Sequence, residues 1–310
     1  MKKIHWYAMI LALALLVTSV VAPQSGLAQP INTDYGGLAA PLHSASGGPI
    51  RSAFAISQLT KNQAHPAVAY NSQQEQYLVV WHNEWGGNKD IYGQRVSREG
   101  ALIGPWFLIS PTGGQYHSPD VAYNSQHDEY LVVWKDDSLK SIYGRRLSAT
   151  GQLLGGGPID ITPGFLMDPT AYYAQPAVAY AYTADKYLVV YRYASSTGSA
   201  IGSQPLAYDG TFAIGTSSVE IAPFSPPGVP AKPAVSYNRT RNEFLVVWQH
   251  RNVGPPAEHD IYGRRVRMLP SPGTLGASFS ILNYGNDETA PAGAAIPYPS
   301  GPGEDPVTFE

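Results

Sequence analysis

The sequence has no cysteine and little charge. Lys, Arg, Asp and Glu make up 14% of its 310 residues, and the formal net charge is -3. Without cysteine there is no disulfide framework and no thiolate metal site. A near-neutral chain also lacks the broad basic footprint of a nucleic-acid binder. Long apolar runs are scarce too. The stretch from Tyr7 to Val21 is short against the roughly 20 residues a membrane-spanning helix needs. After it, no segment shows a convincing helical period. What is abundant is 31 glycines, 27 prolines and 21 tyrosines, with 44% hydrophobic residues. That is too apolar for a disordered chain, and it fits turn-rich β-structure.

The first residues read as an address. Lys2 and Lys3 precede the apolar run, and the small residues Gly26 and Ala28 suit cleavage before Gln29. Residues 1–28 are therefore expected to be a bacterial Sec-type signal peptide, giving a secreted or cell-surface protein with no membrane contact after cleavage. Residues 29–52 read as a linker rich in small residues, and 53–310 as the folded part.

That part repeats. Pro66-Ala67-Val68-Ala69-Tyr70-Asn71, then Tyr77-Leu78-Val79-Val80-Trp81, returns from Pro119 to Trp134, from Pro176 to Tyr191 and from Pro233 to Trp248. A third segment, Asp90-Ile91-Tyr92-Gly93-Gln94-Arg95-Val96, recurs at Ser141–Leu147 and Asp260–Val266, and in degenerate form at Ala200–Leu206. A fourth recurs as Phe107–Ser110, Ile159–Thr162, Val219–Ala222 and Phe279–Leu282. Four short β-type runs per unit, at a period near 50, predict an all-β propeller of four-stranded antiparallel blades. The expected blades cover about 64–110, 118–162, 175–222 and 232–282, with a partial fifth at 290–310. Phe54–Ser57 is expected to close the ring of five as an N-terminal outer strand. A truncated copy of a longer propeller is the alternative.

The pattern P-A-V-A-Y-N, Y-L-V-V-W, D-I-Y-G-Q-R-V, F-x-I-S resembles a repeat of secreted bacterial β-propeller proteins, frequent in large multidomain surface proteins. The resemblance covers about 53–310. It implies the architecture and says almost nothing of chemistry, because the recurrent residues are strand-core residues.

Function on a propeller is expected at the face carrying the variable loops. Here these are the links 82–90, 135–141, 192–200 and 249–260, together with 111–118, 163–175, 223–232 and 283–290. Candidate binding residues there are His65, His82, Trp85, His117, Asp137, Tyr193, His250 and His259. Tyr116 adds aromatic surface. Further carboxylates are Asp90, Asp168, Glu258, Asp287 and Glu288. Arg95, Arg146 and Arg265 share one blade position and are expected to make structural pairs with Asp90, Asp260 or their neighbours. Trp81, Trp134, Tyr191 and Trp248 are expected core.

No zinc-protease motif H-E-x-x-H, EF-hand loop or sialidase Asp-box is present. The expectation is thus an exported binding module for a glycan, cell-wall polymer or protein, with no cofactor; a calcium ion in the channel stays open. The alternative is a glycoside hydrolase or lyase, which needs two carboxylates about 5–10 Å apart. Asp136, Asp260 and Glu84 are the candidates for it.

Overall fold

The computed structural model describes residues 53–59, 61–162, 171–196, 198–213, 218–223, 228–252, 259–267 and 275–282. The expected leader, linker and fifth unit, with Asp168, Glu258, Asp287 and Glu288, lie outside them. The chain divides into a unit ending at Ala55 and a unit from Ile56 onward. All strands among the described residues belong to the second.

They form four antiparallel meanders. Blade 1 is β1 (Gln63–Asn71), β2 (Gln76–Trp85), β3 (Asn88–Ser97) and β4 (Leu102–Leu108). Blade 2 is β5 (Tyr116–Asn124), β6 (Glu129–Asp136), β7 (Ser141–Ser148) and β8 (Leu153–Asp160). Blade 3 is β9 (Tyr172–Ala181), β10 (Lys186–Ser195), β11 (Gly198–Ala207) and β12 (Val219–Ala222). Blade 4 is β13 (Gly228–Asn238), β14 (Glu243–Asn252), β15 (His259–Arg267) and β16 (Leu275–Leu282). The first strands are neighbours in sequence order: β5 lies against β1 and β9, and β13 against β9. The protein is therefore an all-β propeller of four-stranded antiparallel blades. Phe54–Ser57 are described without strand pairing; the blade they are expected to complete falls outside the described residues.

The second strand is apolar on both faces because it serves two interfaces. Leu78 and Val80 meet Tyr130, Val132 and Trp134 of the next blade. Leu131 and Val133 meet Tyr187, Val189 and Tyr191, and Leu188 and Val190 meet Phe244, Val246 and Trp248. The expected aromatic core positions are thus core.

Polar residues close the turns. Asn71 Oδ1 accepts from the backbone N–H of Gln73 and Gln74, and Asn124 Oδ1 from Gln126 and His127. Each first turn ends on a residue at positive φ: Glu75, Asp128, Asp185 or Asn242. Tyr123, Tyr180 and Tyr237 donate to the last three of these.

The recurrent arginines are structural, but their partner differs from the expected one. Arg146 pairs with Glu129 at 2.7 Å and Arg265 with Glu243 at 3.6 Å, while Arg95 donates to Gln76 at 3.5 Å. The partner is the residue opening the second strand. Asp90 instead accepts from the backbone N–H of Gly113 and Gly114.

Candidate functional site

The first strands enter the fold through a strained bend. His65, Ser118, Gln175 and Lys232 each precede a proline and each has φ between 48° and 54°. The left-handed region is uncommon for such residues, and the proline that follows restricts them further. In all four blades the pairing slips at this point, between Ala64 and Ala67, His117 and Asp120, Ala174 and Ala177, and Ala231 and Ala234. A bulge of this kind re-aims the side chains around it.

Where blades 1 and 2 meet, that bend gathers histidines. His65 and His82 have ring centroids 5.2 Å apart, and His82 and His117 6.3 Å. His117 Nε2 lies 2.6 Å from Asp137 Oδ2, and its Nδ1 lies 3.0 Å from Ser118 Oγ. Lys135 completes the group at 2.5 Å from Asp137 Oδ1. The structure thus brings together His65, His82, His117 and Asp137. His82 is a buried strand residue rather than a loop residue, because the link expected at 82–90 is mostly strand around a Gly86–Gly87 turn. Burial, then the neighbouring His65 and His117, hold His82 down to about 4, so it is neutral. Burial also lowers His117, outweighing Asp137. For Asp137 burial acts upward, but the contacts to Lys135 and His117 win and hold it below the usual carboxylate range.

The other candidates stand apart. His250 packs edge-on against Tyr262 at 5.2 Å, and Tyr193 lies tilted against Tyr173 at 5.4 Å. His259 pairs across the ladder with Arg251. Asp136 Oδ1 accepts from the backbone N–H of Ser138 and Leu139, so it caps a turn. Asp260 is buried opposite His250. Glu84 is held ionised by the Asn62 amide and by Lys89. Trp85 is exposed at the tip of the β2–β3 hairpin. Among the described residues, no group of three or more His, Asp or Glu is placed to hold a metal ion.

One residue outside the expected set matters most. Asp120 follows the blade 2 bulge, at the position held by Ala67, Ala177 and Ala234 in the other blades. Its Oδ2 accepts from Val178 N–H of blade 3 at 2.8 Å. Enclosure of the carboxyl pushes its pKa up to about 6, against the two backbone N–H groups that favour the anion. A scan of loops passes over it because it sits on a strand. The signal was in the repeat: one Asp among three alanines.

Asp120 and Asp137 are therefore two carboxyls of blade 2 in opposite states. One keeps its proton up to about pH 6; the other is an anion beside a histidine. Such divergence is how proteins divide acid and base roles between like groups.

No protein-family model and no curated protein matches the sequence. Solved structures do match in layout. An alpha-L-arabinofuranosidase from Podospora anserina in complex with cellotriose is 9% identical with a TM-score of 0.44, over 73% of this chain and 70% of that one. An endo-arabinase from Bacteroides thetaiotaomicron is 12% identical with a TM-score of 0.45, over 71% and 81%. An exo-beta-1,3-galactanase from Phanerochaete chrysosporium, with galactotriose, is 11% identical with a TM-score of 0.44, over 70% and 49%. These proteins are glycoside hydrolases that take glycans, and the expectation of a binding module without catalysis is corrected accordingly. At such identity the likeness is one of layout, and any activity of this chain rests on its own residues.

Proposed function

We propose that this protein is an exported glycoside hydrolase acting on a glycan at blade 2, whose first strand carries Asp120 toward blade 3 and His117 toward blade 1. Asp120 is its proton-exchanging group and Asp137 its ionised carboxylate, with His65, His82 and His117 forming a polar wall between the strands. The observation that carries the reading is Asp120. A carboxyl enclosed against the inner strand of the next blade costs stability as an anion, and the other blades use alanine there. A general acid needs this enclosure, which lets it keep its proton up to about pH 6. Lys2, Lys3, the apolar run and Ala28 support export. N-terminal sequencing of the secreted product is expected to begin at Gln29.

The test is hydrolysis by the secreted chain, screened on aryl glycosides and on neutral and acidic polysaccharides by release of reducing ends. At least one substrate is expected to be cut, with activity declining as pH rises through about 6. Asp120→Asn and Asp137→Asn are each expected to lower kcat by about 100-fold or more. A wild-type protein inert on the whole panel, or an Asp120→Asn variant within twofold of wild type, overturns the reading.

A further inference from the structure

The β2–β3 hairpin carries a tryptophan that no other blade has. Counted from the repeat aromatic, Trp85 corresponds to Ser138, Ser195 and Asn252. It is 59% exposed, the most open large apolar side chain among the described residues. Its position is fixed by the Gly86–Gly87 turn, with φ of 58° and 86°. Two consecutive residues at positive φ give the tight hairpin turn that glycine favours. Trp85 pairs with Asn88 across it. The indole is therefore displayed on a rigid support, at the hydrophobic cost of leaving a large ring in water.

Beside it lies a cavity of about 310 Å³, lined by Lys61, Asn62, Glu84, Asn88, Lys89 and the two turn glycines. That volume is at the lower end for ligand pockets and suits one or two sugar rings. The lining charges are not equivalent. Lys89 is paired with Glu84 at 3.5 Å, and Asn62 Nδ2 also donates to Glu84 at 3.2 Å. Lys61 has no carboxylate partner among the described residues, and its Nζ lies 5.5 Å from the centre of the Trp85 ring. One aromatic face, one uncompensated ammonium and two amides make a complementary set. The ring stacks on the C–H face of a pyranose, the amides bond hydroxyls, and the cation takes an anionic substituent.

We propose that this cavity is an acidic-sugar subsite, binding a uronic acid unit of a polysaccharide chain. It lies apart from Asp120, and it deepens the reading of the protein as a glycan-acting enzyme, on which it rests. Trp85 supplies the stacking platform and Lys61 the contact to the carboxylate.

The experiment is calorimetric titration of the full secreted chain with trigalacturonate and with the neutral α-1,4-galactotriose. Binding of the uronate at least 10-fold tighter than the neutral trimer is expected, weakening as salt is added. Trp85→Ala is expected to lose at least 10-fold for both trimers. Trp85→Phe restores part of it, which separates stacking from a folding defect. Lys61→Gln is expected to bring the two trimers to similar affinity. Equal affinity of wild type for both trimers, unchanged binding in Trp85→Ala, or preference for a sulfated neutral trimer over the uronate each overturns the subsite. Trp85-dependent binding of trigalacturonate by a wild-type chain that hydrolyses nothing sinks the catalytic reading and leaves the subsite standing. Hydrolysis that is indifferent to Trp85 does the reverse.

Discussion

A single carboxyl sets the pH behaviour expected of the junction between blades 2 and 3. Asp120 has a folded pKa near 6, above its usual 3.8. Between those values the folded chain keeps a proton that the unfolded chain has released. The stability this gives is complete below the lower value and lost as pH rises through about 6. At neutral pH the group is thus a half-buried anion and a net cost. Asp120→Asn keeps an acceptor for Val178 N–H and removes the charge. It is expected to raise stability at pH 7.5 by about 1–3 kcal/mol, with the gain vanishing near pH 4, read from thermal melts at both pH values. His82 works in the opposite direction. Its folded pKa of about 4 lies below the usual 6.5, so between those values the unfolded chain binds a proton that the folded one refuses, and stability falls as pH drops. In wild type the two slopes offset each other between about 4 and 6. In Asp120→Asn the histidine slope is no longer offset by Asp120, and the acid-side decline is expected to steepen. At this scale the sequence was half legible. Its loop-face reading placed His65, His82, His117 and Asp137 on one face, and the fold joins them. It missed Asp120, because the repeat shows the odd Asp among alanines but its contact with the next blade is a tertiary fact.

Strands repeat legibly because each second strand must present apolar side chains to two neighbours, and few sequences do so. The bend before each proline was not legible. Left-handed φ at His65, Ser118, Gln175 and Lys232 is imposed by convergence of the first strands, against the local preference of those residues. The degenerate third copy has a packing explanation. In blades 1 and 4 the second-strand Trp stacks on a third-strand Tyr, at 6.5 Å for Trp81–Tyr92 and 6.1 Å for Trp248–Tyr262. Blade 3 has Tyr191 opposite Gly202 instead. A Cβ at Gly202 would come within 2.7 Å of the Tyr191 ring, which is itself buried edge-on to Tyr173. The loss of the third-strand Tyr and the change from Trp to Tyr are thus one correlated replacement. Gly202→Ala is expected to cost about 1–3 kcal/mol, the usual range for overpacking a filled site. Urea unfolding measures it. A cost within 0.5 kcal/mol of zero, the scale of a neutral surface change, would mean that Tyr191 has room to move and that the two replacements are independent.

With no disulfide, cohesion between blades rests on apolar packing, and the place of a blade in the arc decides what its residues are worth. The repeat provides a controlled comparison. Val68, Val121, Val178 and Val235 occupy the same position of the first strand. The last three are covered by the preceding blade and are 6%, 5% and 8% exposed, whereas Val68 is 41% exposed. Among the described residues no blade precedes blade 1, and the same side chain lies open on its flank. Removing two buried methyl groups costs their transfer energy and leaves a cavity. Val178→Ala is therefore expected to lower stability by about 1–3 kcal/mol, and Val68→Ala by less than about 0.5 kcal/mol, as at an ordinary surface position. The two variants share chemistry, backbone conformation and repeat position, so the difference in their urea midpoints reports coverage alone. Equal losses would show that the flank of blade 1 is covered in solution. The apolar packing that links blades 1 to 4 would then continue around to a further blade, and ring closure, not the individual interface, would be the unit of stability.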